Sequence, residues 1–181
     1  MADRVALNRF LASVERRAFR MAQMAVRNPD DALDIVQDVM LALVRKYADR
    51  PEAEWAPLFQ RMLATRITDH HRRHTVQRRR FGWSWRTKED DDPDAIDPLL
   101  EIADGEAAEP LFRAQLDGAS SAMVDAVEAL PLRQQQAILL RLWEGLDVAD
   151  TAAAMGCSEG SVKTHLSRAV HSLRQSLRVH W

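Results

Sequence analysis

Between Glu89 and Glu109 this 181-residue chain carries ten acidic side chains and not one basic. The stretch "EDDDPDAIDPLLEIADGEAAEP" also holds three prolines and shows little periodicity, so it cannot bury enough apolar surface to join a packed core. Whatever folds must fold on either side of it. A chain of this length suits one ordinary domain or two small ones, and the acidic break selects the second: residues 1–86 and 113–181, joined by a linker over 87–112. The linker reads either as a solvated spacer or as a spacer with a further role. As a flexible coil it lets the two halves sit roughly tens of Å apart.

The remaining charges are also sorted, which a net charge of −2 conceals. Residues 1–59 balance nine basic side chains against nine acidic, residues 60–88 hold nine basic and one acidic (Asp69), and residues 110–181 hold seven of each. A basic block followed directly by an acidic one is not random surface decoration. Six glycines, seven prolines and one tyrosine, against abundant Ala, Leu, Arg, Gln and Met, favour helix throughout, so the expected fold class is all-α. The start, "MADRVALNRFLASVERRAF", has charges spread through it, and nowhere do about eighteen apolar residues run together. Neither a signal peptide nor a transmembrane helix is expected, and the expected location is cytoplasmic. The single cysteine, Cys157, cannot form an internal disulfide, which agrees with a reducing compartment.

Near the C-terminus, "MGCSEGSVKTHLSRAVHSLRQSL" places a Gly-Cys-Ser turn before an amphipathic run. On a helical wheel Val162, Leu166, Ala169, Val170, Leu173 and Leu177 gather in an arc roughly 100° wide, the width of a core-facing stripe. Opposite lie Gly160, Thr164, Ser167, Arg168, His171, Gln175 and Arg178, with Ser161 and Lys163 at the edges; after Glu159 no acidic side chain follows. Ser158 is the expected N-cap, and Gly156 suits the left-handed end of the preceding helix, "DVADTAAAM". Ala149, Ala152, Ala153 and Ala154 in that helix allow a close, steep crossing, the helix-turn-helix arrangement. In such a unit the second helix enters the major groove, where hydroxyl, Lys and Arg side chains reach base edges and phosphates. That makes Ser161, Lys163, Thr164, Ser167, Arg168 and His171 the candidate DNA contacts. The competing reading is a helical hairpin with a solvated polar face, although such a face usually mixes both signs of charge. Upstream, "SSAMVDAVEALPLRQQQAILLRLWEGL" supplies two more amphipathic segments, broken at Pro131 and ended at Gly145. Their Val124, Val127, Leu130, Ile138, Leu139, Leu142 and Trp143 can cover the apolar stripe.

In the other half, "PDDALDIVQDVMLALVRKY" reads as a helix whose apolar arc holds Leu33, Val36, Val39, Met40, Leu43, Val44 and Tyr47. Asp34, Asp38, Leu41 and Arg45 fall on the far side, with Gln37 beside them. A leucine ringed by polar and charged groups reads as a protein-binding face or as a scattered surface residue. The next helix, "WAPLFQRMLATRITDHHRRHTVQRRR", buries Trp55, Leu58, Phe59, Met62, Leu63 and Ile67 and keeps Arg61, Arg66, His70, Arg72, Arg73 and His74 mainly around the remainder. A cationic face tracking phosphates, with planar groups for stacking, is what single-stranded DNA needs. Phe81, Trp83 and Trp85 follow directly, either as a stacking platform or as anchors packed back on the domain.

The segment "ALPLRQQQAILLRLWEGLDVADTAAAMGCSEGSVKTHLSRAVHSLRQSL" resembles the fourth conserved region of bacterial RNA polymerase sigma factors of the sigma-70 family, specifically the small extracytoplasmic-function type. The helix from Pro29 resembles the second conserved region, whose core is an acidic residue, then "hydrophobic-Val-Gln-acidic", then an apolar helix. The basic helix is similar to the family's "W-L-x-R-I-A-x-N-x-x-x-D-x-x-R-R" stretch: Trp55, Arg61, Asp69, Arg72 and Arg73 keep the pattern, and Thr65 stands where asparagine is usual. The resemblance covers about residues 28–75 and 120–178. It implies a region 2-like helical bundle and a region 4-like four-helix domain joined by the acidic linker. Carried over, Asp34, Gln37, Asp38 and Leu41 bind core RNA polymerase at the β′ clamp helices. Arg61, Thr65, Arg66, Asp69, His70, Arg72 and Arg73 capture and melt the −10 promoter element, while the helix-turn-helix contacts named above bind the −35 element and the same module meets the β flap. In family members the linker passes close to the active-site and RNA-exit path. An anti-sigma factor is a further partner that the resemblance leaves open.

No glycine-rich phosphate loop, H-E-x-x-H, nucleophile elbow or α/β alternation occurs, so no catalytic residue is assigned and no cofactor is implied. His70 and His74 have a spacing able to grip zinc, but no cysteine or acidic ligand completes the set and the neighbouring arginines repel a cation, so no metal site is assigned. Cys157 reads as a redox sensor or as a small buried filler of the turn. Two alternatives stand beside the sigma factor reading: a stand-alone helix-turn-helix regulator of the response-regulator type, and an adaptor whose basic face meets an acidic protein.

Overall fold

The computed structural model describes residues 4–80 and 121–177, and every regular element within them is helical, as the composition requires. The acidic linker, Phe81, Trp83, Trp85 and Arg178 lie outside these residues, as does the side chain of His74. The chain divides into two compact units, Met1–His70 and His71–Trp181. No helix among the described residues is long and apolar enough to cross a membrane.

The first unit is built on α1 (Arg4–Val26), α2 (Pro29–Tyr47) and the part of α3 (Glu52–Arg80) that ends at His70. On α1 the residues Leu7, Leu11, Val14, Ala18, Met21, Ala22 and Ala25 recur at three- and four-residue steps, and all are buried. The helix ends at Arg27, which takes a left-handed backbone (φ 57°) and donates its N–H to the Gln23 carbonyl at 2.8 Å. Asn28 then caps α2, its Oδ1 accepting from the Asp30 and Asp31 amides at 2.9 and 3.4 Å. Pro29 opens α2, Asp30 and Asp31 occupy its first turn, and Arg45 and Lys46 its last, so the charges complement the helix dipole at both ends. The turn into α3 is closed by Trp55, whose Nε1 donates to the Tyr47 carbonyl at 3.1 Å. Its ring lies against Phe10 of α1 at a centroid distance of 5.9 Å, and Phe59 meets Phe10 edge-on at 6.1 Å. These aromatics, with Leu43 and Leu63, are the centre of the core.

The second unit holds α4 (Ser121–Glu128), α5 (Leu132–Ile138), α6 (Val148–Met155) and α7 (Glu159–Leu177), with α5 running on into a π-helical turn over Leu139–Trp143. Gln135 through Leu140 are buried without interruption, which marks α5 as the central element. The buried Gln135 amide is satisfied by the Val127 carbonyl, to which its Nε2 donates at 3.1 Å. In the π turn the Glu144 amide reaches back to the Leu139 carbonyl at 2.9 Å, and the wider turn lets Leu139, Leu140 and Trp143 all enter the core. Asp147 caps α6 through the Asp150 amide at 2.7 Å. At its far end Gly156 takes φ 65° and the Cys157 amide returns to the Ala152 carbonyl at 3.1 Å, closing the helix in the left-handed manner that the sequence predicts. Ser158 caps α7, its Oγ accepting from the Ser161 amide at 3.1 Å. Helix α7 packs against α4, α5 and α6 together.

Candidate nucleic-acid and protein interfaces

Helix α7 presents Lys163, Arg168 and His171 to solvent, with Ser161 and Thr164 half-buried between them. The Thr164 hydroxyl donates to the Gly160 carbonyl at 3.0 Å, and the His171 ring meets the Gln175 amide at 2.9 Å. Ser167 is a correction: the wheel sets it on the open face, yet it is buried, with 8% of its surface exposed. Three helices flank α7, so its covered arc is wider than the apolar stripe alone. Val170 and Leu177, expected in the core, are only half-buried. Within the first two turns His165 is half-buried, and burial, then Arg133, then Arg168 hold its imidazole below the ordinary histidine range. Burial pushes the Cys157 thiol up, against a smaller opposing pull from Arg133, so the thiolate a redox sensor needs is disfavoured.

On α3 the side chains of Arg61, Thr65, Arg66, Arg72 and Arg73 are exposed and Asp69 is half-buried, so one helix carries most of the cationic face that the sequence predicts. The Thr65 hydroxyl donates to the Arg61 carbonyl at 2.8 Å. His70 departs from the expectation of an open DNA-facing group. Its Nε2 lies 3.2 Å from Asp31 Oδ2 in the first turn of α2, and both side chains are partly covered. It ties α3 to α2 within the first unit. Leu58 and Met62, expected in the core, are half-buried, while Gln60 and Ala64 are buried.

Asp34, Gln37, Asp38 and Leu41 are all exposed on α2, at steps of three and four residues, and so share one face. Beside them the structure overturns the reading of Leu33 and Val44 as core residues. They are 45% and 40% exposed, and Leu41 is 51% exposed. The core of α2 is instead made by Ala32, Ile35, Val36, Val39 and Leu43. The signal was present in the sequence: apolar residues spread around α2 over far more than the roughly 100° that one core can cover. Leu33, Gln37, Leu41 and Val44 form a second stripe bordered by Asp34 and Asp38.

The fold and these faces define a helix-turn-helix protein with a second helical unit that exposes an apolar and acidic strip on one helix and arginines on the next. The family description "Sigma-70, region 4" matches residues 120–173, from the start of α4 through most of α7. An RNA polymerase sigma-E factor of Streptomyces avermitilis is 30% identical over 164 residues, spanning 87% of this chain and 77% of the relative. The sigma-E factor of Streptomyces coelicolor is 28% identical over 179 residues, 98% of this chain and 89% of that one. The ECF RNA polymerase sigma factor SigM of Mycobacterium tuberculosis is 27% identical over 169 residues, 92% and 74% of the two chains. Among solved structures, the sigma factor RpoE of Bartonella quintana, crystallised with the anti-sigma factor NepR, shares the fold with a TM-score of 0.62, at 23% identity over 95% of this chain and 96% of that one. The chain belongs to the sigma-70 family of bacterial RNA polymerase sigma factors, in its extracytoplasmic-function group.

Proposed function

We propose that the protein binds core RNA polymerase and directs it to promoters, with each exposed face carrying one step. Membership of the family supports the function, and the observation that carries the assignment of faces is the acid-free, cation-bearing side of α7 in a closed helix-turn-helix. There Lys163, Thr164 and Arg168, with Ser161 and His171 beside them, read the −35 element in the major groove. Arg61, Thr65, Arg66, Asp69, Arg72 and Arg73 on α3 hold and open the −10 element, where unstacking bases costs a few kcal/mol that charge and contacts must offset. Asp34, Gln37, Asp38 and Leu41, extended by Leu33 and Val44, form the polymerase-binding strip of α2. Residues 1–86 and 113–181 act as the two working domains and 87–112 as the strap between them. Such a protein works in the cytoplasm, where polymerase and DNA are.

Run-off transcription with core polymerase lacking its own specificity subunit, followed by start-site mapping, tests this reading. Discrete starts that depend on added protein are expected. A specific duplex shift by the chain alone, with no promoter-directed transcript when core is added, overturns it in favour of a stand-alone regulator.

A further inference from the structure

Helix α5 begins badly. Pro131 at its N-cap supplies no side-chain cap, no acidic residue stands in its first turn, and Arg133 sits in that turn, where a cation works against the positive end of the helix dipole. A sequence that breaks local rules in one place usually gains something elsewhere. Here the gain lies across 22 residues of chain: Arg133 Nη1 donates to the Met155 carbonyl at 2.8 Å. That carbonyl belongs to the last residue of α6, among the terminal groups that have no partner within the helix. The half-buried guanidinium also lies 3.5 Å from Oε1 of Gln136, which is buried in the core. One side chain thus joins the central helix to the residue immediately before the Gly156-Cys157-Ser158 turn, and Ser158 caps α7. Its charge is felt at Cys157 in the turn and at His165 in α7, so it faces both sides of the joint.

We infer that Arg133 is a positioning residue for DNA reading: anchored in α5, it fixes the α6–α7 turn and thereby sets the angle at which α7 enters the groove. The inference rests on the proposed role of α7. Leverage explains why one anchor matters. Arg168 lies nine residues beyond Glu159, about 14 Å along the axis. A tilt of about 5° at the turn moves it by about 1 Å, enough to lose a hydrogen bond to a base edge. Lys163, closer to the pivot, moves less, so loss of the anchor should blur the distal contacts first.

The experiment uses the full chain with core polymerase, on a promoter recovered by start-site mapping, with its −35 element intact or scrambled. The readout is the ratio of transcription from the two templates. Arg133→Gln should lower that ratio about tenfold, the scale of one charge-assisted hydrogen bond. Arg133→Lys, which keeps a donor and a charge but loses the fork, should lower it by about threefold. Transcription from the scrambled template should stay at the wild-type level in both variants. In the Arg133→Gln protein the His165 ring resonances should titrate at higher pH than in wild type, because one flanking cation has gone. Wild-type ratios in both variants, or equal losses on both templates, overturn the inference. If Arg133→Gln does not fold, Arg133→Lys alone decides by the same criteria. Lys163→Ala and Arg168→Ala serve as the controls: if they too leave the ratio unchanged, it is the role of α7 that fails, and not the anchor.

Discussion

Replacing Leu33, Leu41 and Val44 of α2 together by alanine should leave the free protein folded and cripple its union with core polymerase. Fully burying a leucine or valine side chain contributes roughly 1.5–3 kcal/mol. These three keep 45%, 51% and 40% of their surface in water, so about half of that, or ~1 kcal/mol each, is still available to a partner. The sum is about 3 kcal/mol, or a loss of about a hundredfold in affinity. In the free chain the covered half of each side chain is lost as well, up to about 1 kcal/mol each, which the better helix propensity of alanine offsets in part, so the melting temperature should fall while the chain stays folded. Leu43 supplies the contrast on the same helix: it is 0% exposed, and Leu43→Ala should destabilise the free protein by about 2–5 kcal/mol. Titration of labelled protein with core polymerase, beside thermal melts of the free chain, measures both effects. Unchanged affinity in the triple variant refutes the assignment of this strip as a docking face.

Three further outcomes are expected. Gly156→Ala should cost about 1–2 kcal/mol, because the left-handed backbone (φ 65°) is strained for alanine while nothing lies within 4 Å of the added carbon; a melt of the full chain followed by helical circular dichroism reads it, and an unchanged transition sinks it. Arg27→Gly should raise the stability of the first unit by a few tenths to about 1 kcal/mol by relieving the same strain, less the extra freedom that glycine gains when unfolded, as urea titration would show. His165 is held below the ordinary range by burial, then by Arg133 and Arg168, so it binds a proton more weakly folded than unfolded. Its contribution to stability is therefore complete above about pH 6.5 and is lost as pH falls below that value; melts at descending pH should show a steeper loss in wild type than in His165→Gln, and equal slopes would contradict the sign.

Helix ends were legible in the sequence because several local rules pointed the same way. At Asn28-Pro29 a capping side chain, a fixed proline φ and two acids coincide, and α2 starts at Pro29 as its pattern predicts. Gly156 and Ser158 did the same for the helix-turn-helix. Faces were legible only in part. On α7 the sequence pattern locates Val162, Leu166, Ala169 and Leu173 correctly but cannot know that three helices flank it, so Ser167 is misplaced. On α2 the error runs the other way, since Leu33 and Val44 join the apolar arc by hydrophobicity while the neighbouring helices reach only as far as Val36, Val39 and Leu43.

Both errors have one cause, which is that periodicity reports how much apolar surface a helix offers and not how much its own fold can cover. The difference between the two is where a partner can be read. A helix that offers less than its neighbours cover recruits a small polar residue such as Ser167 into its packing, and a helix that offers more, such as α2, leaves a surplus on the surface. In a chain whose halves are too small to hold large cores, that surplus costs solubility and contributes nothing to folding. Its place beside Asp34, Gln37 and Asp38 agrees with the polymerase-docking role proposed for that face. His70 makes the complementary case: a histidine set among arginines reads as one more DNA contact, yet its ring is turned to Asp31 of α2, so the basic helix gives up one outward group to a contact with its neighbour.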